Sequence, residues 1–412
     1  MPALDDLQFQ EFDPHYFKDV KPITGPSPYA DKPTEGPSYI PPELRQKPLV
    51  PSGIFANEYG QHGKDISPLL GRDYSENVQV ADFIDLLLDA KSSEQDRERA
   101  QNLIRDIAIE ISRKGAVVFR NQHKLTVQKQ KDFTNQLGLL TGKPKENGLH
   151  IHPRAPAGGL VGEDGIIDPE VFYVFSSFDR VQDKLALARR GAAFPSAGWH
   201  TDITFEPVPA DYSALKIVDQ PDEGSGGDTV FANGYALYER LSEPLQEFLE
   251  NLTGTYSQPV IEDFGKDKAF DLYSQPRGAP ENVGDILTAT HPVVRTNPVT
   301  GWKSVFALGT SFTKFNELTP IESKQLRDFL NESVVNSHNL QVRISWNSNH
   351  DIIFFDNRSS YHTATRDYLG TRRGIRTISI GERPYLDKNS GVQSEAIYRE
   401  LDEKNGTFLS KK

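Results

Sequence analysis

The stretch LQVRISWNSNHDIIFFDNRSSYHTATRDYLGTRRGIRTISIGE, residues 340–382, holds three strands in quick succession. In LQVRISWN the apolar residues Leu340, Val342, Ile344 and Trp346 fall on every second position, the period of a strand with one buried face. HDIIFFDN is a continuous apolar run between polar ends, which predicts a buried strand. RRGIRTISIGE alternates again, with Arg372, Gly374, Arg376, Ile378 and Ile380 on one face and Arg373 and Ile375 on the other. Upstream, YSALKIVD and TVFAN read as two more strands around the loop QPDEGSGGD. The glycines of that loop make a tight turn and not a dinucleotide fingerprint, because no helix of the right phase follows them.

Helices are interspersed. Ala100, Leu103, Ile104, Ile107 and Ile111 recur at helical spacing, Gly115 ends that helix, and AVVFR follows as a buried strand. A second helix is expected over Thr126 to Leu137 and a third over Tyr235 to Leu252, bent or interrupted at Pro244. Another starts at TPIESKQL, where Thr319, Pro320 and Glu322 supply the N-cap, a first-turn proline and a capping-box partner, and it runs to near His338. Strands interrupted by helical insertions, without regular βαβ units, predict a β-rich α+β fold: a double-stranded β-helix, or jelly roll, with flanking helices. Residues 1–77 are expected to form a proline-rich extension and 78–412 one folded domain. Residues 21–52 hold nine of the chain's 28 prolines without apolar periodicity, the texture of an extended arm laid over the domain.

Composition narrows the partners. With 58 acidic against 46 basic residues the formal charge is −12, which opposes binding to nucleic acid or an anionic membrane and leaves a small molecule as the expected partner. No run approaches the roughly 20 apolar residues of a bilayer span, and MPALDDLQFQEFDPHYF lacks a secretory signal, so a cytoplasmic protein is expected. A homo-oligomer is left open. The chain has no cysteine, so any metal must be held by histidine and carboxylate. Its one methionine is Met1, a sulfur poverty that reads either as drift or as economy in a protein made when sulfur is scarce.

Within GWHTDITFEP, residues 198–207, His200 and Asp202 stand two apart, and on a strand they would face one point. His362, after the IIFFDN strand, is the best third ligand among the ten histidines. Two histidines and a carboxylate form the facial triad of non-haem Fe(II) oxygenases, which leaves coordination positions open. Arg372 and Arg376 on an apolar inward face need anionic partners: internal carboxylates, or a dicarboxylate cosubstrate and a second anion. His350-Asp351 reads as a solvated bend, and His291 as a locally bonded side chain.

GLHIHP at 148, WHTDITF at 199, GGDTVFANGYALYERL at 226, HPVVRTNPVTGWK at 291 and DNRSSYHTATRDYL with the following RR resemble the Fe(II)/2-oxoglutarate-dependent taurine dioxygenase family, notably its fungal sulfonate dioxygenases. The resemblance runs from about Val78 to Tyr385. It implies His200, Asp202 and His362 as iron ligands, Thr229 and Arg372 on the distal carboxylate of 2-oxoglutarate, and His152 and Arg376 on a sulfonate. Ile203 and Phe312 would line the substrate cavity, and His150 would be structural. The implied reaction consumes O2 and 2-oxoglutarate, hydroxylates an alkyl sulfonate at the carbon bearing sulfur, and releases sulfite and an aldehyde with succinate and CO2, a means of sulfur scavenging. The gap from His362 to the arginine pair is one residue shorter than in the bacterial enzymes, which leaves Arg373 as an alternative to Arg372. Ala155 and Ser196 replace larger polar residues of the bacterial taurine enzyme, so the particular sulfonate is open. The same chemistry on a sulfate ester or aryloxy acid, or a non-catalytic jelly-roll anion-binding protein, are the alternatives.

Overall fold

The computed structural model describes residues 8–9, 20–155, 159–161, 167–178, 198–220, 226–268, 271–306, 308–365, 367–368 and 370–405. Ser196 and most of the QPDEGSGGD loop lie outside them. The helices that matter for the site are α1 (Ile54–Tyr59), α2 (Val80–Leu88), α3 (Glu94–Lys114), α4 (Val127–Leu139), α5 (Gly234–Arg240), α6 (Glu243–Leu249) and α7 (Pro320–Val335). The principal strands are β1 (Arg72–Tyr74), β2 (Ala116–Phe119), β3 (Ile167–Phe178), β4 (Ala210–Asp219), β5 (Thr229–Asn233), β6 (Gln341–Ile344), β7 (Ile352–Asp356), β8 (Ser360–Ala364) and β9 (Gly370–Ile380).

A large sheet runs in the order Gln8–Phe9, Gly159–Val161, β3, β9, β4, β7, β2, β1, Gly63–Asp65, and a smaller one in the order β6, β5, β8. Pairing is antiparallel except for β1 on β2. The architecture is thus mixed α and β. Strand β7 shows how the layers form. Ile352 and Phe354 join Val117, Phe119, Tyr212 and Ala214 beneath α2, α3 and α4. Ile353 and Phe355 point the other way, into a cluster with Ala116, Val118, Ile217, Phe231, Val342 and Ile344 between the two sheets. A central strand covered on both faces needs an unbroken apolar run, and each such side chain contributes about 1.5–3 kcal/mol of burial.

Helix α3 is capped by Ser93 in a capping box with Asp96 and ends at Gly115, whose φ of 71° suits glycine. Thr319 and Glu322 form the box that opens α7, which stops at Val335, short of His338. The expected helix over 235–252 is two, α5 and α6, with Pro244 in the first turn of the second. Part of the stretch 1–77 belongs to the folded unit: Phe55 of α1 and Tyr74 of β1 are buried in the cluster beneath α2 and α3. The proline-rich segment is strapped to the surface of the domain. Arg383 donates to the carbonyls of Tyr29, Lys32 and Pro33, and Ser38 bonds Glu281. No helix of the described residues is long and apolar enough to cross a membrane.

Candidate metal centre

His200 and His362 meet through their backbones. His362 N donates to His200 O at 2.8 Å and His200 N to His362 O at 3.1 Å, a reciprocal antiparallel pair that sets the imidazole centroids 4.2 Å apart. His362 sits inside β8, opposite Phe231 of β5, where the sequence placed it only between strands. Asp202 reaches the same point differently from expectation. The chain leaves the bridge at His200 and turns through residues 202–205, so strand alternation does not align Asp202 with His200; a turn does. Ile203 occupies φ 49°, a left-handed conformation that β-branched residues rarely adopt, so backbone strain sits beside the carboxylate.

The three side chains offer one ligand atom each within 4.8 Å of one another. Asp202 Oδ1 lies 4.0 Å from Nε2 of each histidine. His200 Nδ1 donates to the carbonyl of Gly198 at 2.8 Å, so Nδ1 carries a proton and Nε2 is the ring nitrogen turned to the centre. Burial among Phe231 and Phe355, with His200 adjacent, lowers the His362 pKa to about 3, so that imidazole is neutral. For Asp202, burial alone would raise the pKa, but Arg376 and the two histidines outweigh it and lower it to about 2. Two imidazoles and one ionised carboxylate, with no thiolate, fit Fe(II) of the facial-triad type. Asn357 Oδ1 accepts from Asp202 N at 3.0 Å and Ser213 Oγ donates to Asp202 Oδ2 at 2.8 Å, holding the ligand in place.

Arg372 comes from the large sheet to a residue of the small one. Its Nε donates to Gly227 O at 2.8 Å, its Nη2 lies 3.4 Å from Thr229 Oγ1, and its guanidinium carbon stands 5.6 Å from the Trp346 ring centroid. Thr229 pairs with Ala364, two residues beyond His362, so this cation lies beside the triad's strand. Arg373 points outward and pairs with Asp219 at 3.0 Å, with both side chains about 40% exposed.

Arg376 Nη1 donates to Asp202 Oδ1 at 2.8 Å, and its guanidinium carbon is 5.2 Å from the Phe172 ring centroid. His152 stacks on the same ring at 4.1 Å. The Arg154 amide donates to His152 Nδ1, which leaves the proton of the neutral ring on Nε2 as a donor. Burial, then Arg376 and the neighbouring cations, holds the His152 pKa well below the usual histidine range. Ile203 packs with Phe205, Ile378 and Ile380. Phe312 packs against Tyr256 and Phe315, and among the described contacts it belongs to that aromatic cluster and not to the triad.

Other histidines brace the loop that follows Asp202. His150 Nε2 bonds Glu206, which Arg277 grips through both carboxylate oxygens. His291 is not locally bonded: its Nε2 reaches Thr204 O, 87 residues away in sequence. Asp351 is buried instead of solvated and accepts from Arg120, Ser348 and two backbone amides.

Sequence reasoning missed Phe172, Ser213 and Gly309. Gly309 has φ 98°, and a Cβ there would stand 2.8 Å from His200 Cα and 3.0 Å from Trp199 O. Gly309→Ala therefore forces the His200 backbone to shift. It is expected to lower stability by about 1–3 kcal/mol and to weaken metal binding; urea unfolding and a Mn(II) titration check this, and unchanged values in both would refute the close approach.

The chain matches the family described as taurine catabolism dioxygenase TauD, TfdA family, over residues 87–378. It is 39% identical over 364 residues to the alpha-ketoglutarate-dependent dioxygenase btcD of Neocamarosporium betae, covering 86% of this chain and 99% of that protein. To the alpha-ketoglutarate-dependent sulfonate dioxygenase of Saccharomyces cerevisiae it is 30% identical over 360 residues, covering 84% and 74% of the two chains. In fold it resembles the crystal structure of a taurine dioxygenase of Burkholderia xenovorans, with a TM-score of 0.55, 24% identity, and coverage of 80% of this chain and 92% of that one. With a matching domain over most of its length and the histidine and aspartate side chains assembled at one point, this chain belongs to the TauD/TfdA dioxygenase family.

Proposed function

We propose that this chain is an Fe(II)- and 2-oxoglutarate-dependent dioxygenase, built on a double-stranded β-helix core, that hydroxylates alkyl sulfonates at the carbon bearing sulfur. The products are sulfite, an aldehyde, succinate and CO2. The observation that carries the reading is the pair of separate anion-receptive places around one triad: Arg372 with Thr229 on the β8 side, and Arg376 with His152 on the Asp202 side. A bound Fe(II) would be held by His200, Asp202 and His362 and would activate O2, the oxidant, with 2-oxoglutarate oxidised to succinate and CO2 as the C–H bond is hydroxylated.

The protein's own work is placement. Arg372 and Thr229 offer a charged donor and a hydroxyl to the distal carboxylate of 2-oxoglutarate. The Nε2–H of His152 and the guanidinium of Arg376 offer donors to sulfonate oxygens, which would fix the adjacent carbon relative to the metal. Phe172, touching both, keeps these two donors in register. A chain nearly free of sulfur suits an enzyme that recovers sulfite from organic sulfonates, and the similarity to a fungal sulfonate dioxygenase supports the substrate class.

The test is product release across a panel of anions with Fe(II), 2-oxoglutarate and O2. Sulfite from alkyl sulfonates, in step with succinate, is the expected result. Sulfate from alkyl sulfate esters, or a phenol from aryloxy acids, with no sulfite from any sulfonate, would move the substrate and keep the triad. Succinate formation with none of these anions would remove the substrate class altogether.

A further inference from the structure

One oxygen of the triad is claimed twice. Arg376 Nη1 donates to Asp202 Oδ1 at 2.8 Å, and that oxygen also lies 4.0 Å from Nε2 of His200 and of His362. Asp202 Oδ2 is committed elsewhere, to Ser213 Oγ at 2.8 Å. The oxygen that faces both imidazoles is therefore the oxygen the guanidinium holds. Arg376 keeps donors in hand: its Nε is buried and has no hydrogen-bond partner among the described residues, and its guanidinium shares the Phe172 ring with His152.

We propose that Arg376 couples the metal to the substrate's anionic group, so that each strengthens the binding of the other. This rests on the dioxygenase reading and adds to it a linkage between two ligands. An anion that draws the guanidinium toward itself weakens its hold on Asp202 Oδ1 and leaves more of that oxygen's negative charge for a metal. A metal on Asp202 Oδ1 repels the guanidinium and releases its fork to an anion. Arginine suits the role because its planar fork presents five donors and stays charged. The sign is the same whether the guanidinium swings away whole or keeps one bond to Asp202. By linkage the two effects are equal in size, and coupling of about 5- to 150-fold is usual between interacting sites.

The experiment follows Mn(II) binding by loss of the free-ion resonance signal, at constant ionic strength, with either chloride or pentanesulfonate present. Pentanesulfonate is expected to tighten Mn(II) binding at least about 5-fold in the wild type and in Arg373→Gln, where the changed side chain is exposed. In Arg376→Gln the anion has no effect. Arg376→Lys keeps the charge but not the fork, and it shows a smaller effect than the wild type. A wild-type Mn(II) affinity indifferent to pentanesulfonate, or an Arg376→Gln chain that retains the full effect, overturns the coupling. Succinate formation by the wild type with the same sulfonate is measured alongside. Turnover without coupling sinks only the coupling, whereas absence of Mn(II) binding sinks the coupling and the metal centre together.

Discussion

Asp202→Ala abolishes metal binding and succinate formation. Asp202 is the one anionic member of the triad, and its Oδ1 is the atom that faces both imidazoles. Loss of an outer-shell partner alone typically costs about 10–100-fold in metal affinity or activity, so removal of the ligand itself is expected to cost at least ~10³-fold. The alanine also leaves Arg376 Nη1 and Ser213 Oγ without their acceptor in a buried setting, which lowers stability by about 1–3 kcal/mol. Asp202→Asn separates the two effects. Its amide oxygen can still accept a hydrogen bond from Arg376, but the charge is gone, and with a native carboxyl pKa of about 2 that charge is present throughout the working range. The expected asparagine variant is folded, retains no Mn(II) after dialysis and makes no succinate. An Asp202→Asn chain with wild-type metal content and turnover would show that another carboxylate serves as the ligand.

Arg372→Ala raises the 2-oxoglutarate concentration needed for half-maximal turnover. Arg372 is 3% exposed; its bonded neighbours are a carbonyl and a hydroxyl beside an indole face, and the carboxylate that acts on it, Asp228, is already bonded by Arg343. Its pKa is accordingly lowered, first by burial. A carboxylate entering that setting makes a charge-assisted bond shielded from water. Truncating one member of such a pair costs about 2–5 kcal/mol, or roughly 30-fold to several thousand-fold in apparent affinity. Arg373→Ala removes only a half-exposed pair with Asp219, and exposed pairs contribute about 0–1 kcal/mol. Succinate formation against 2-oxoglutarate concentration measures both variants. Equal effects of the two substitutions would contradict the assignment of Arg372 to the cosubstrate.

The strands that were legible in the sequence are those whose residues face apolar layers. β4, β5, β7 and β9 show their alternation, or its absence in a doubly covered strand, directly. Helix ends were legible where a side chain caps them, as at Thr319 and Gly115. β8 was hidden because its SYHTA sequence turns polar residues toward the site, so no apolar period marks it. The strand Thr253–Ser257, with partners Thr288–Pro292 and Phe312–Phe315, was hidden because threonine and glycine fill it and its pairing is long-range. The triad's identity was readable from residue types, but its geometry was not. Asp202 opens a turn whose next residue is the strained Ile203, and that turn is held by His291 on Thr204, Arg277 on Glu206 and Asn357 on the Asp202 amide, all from segments far away in sequence. Phe172 gave no signal, since one aromatic in IDPEVFYVFSSF looks like the next until β9 pairs beside it.

The most direct measurement of the three-ligand centre is the visible absorption of the protein with Fe(II) and 2-oxoglutarate under anaerobic conditions. Chelation of a protein-held Fe(II) by the keto acid is expected to produce a charge-transfer band that requires both additions and vanishes in Asp202→Asn. A wild-type chain that develops no band, or an Asp202→Asn chain whose band is unchanged, contradicts a metal held by His200, Asp202 and His362.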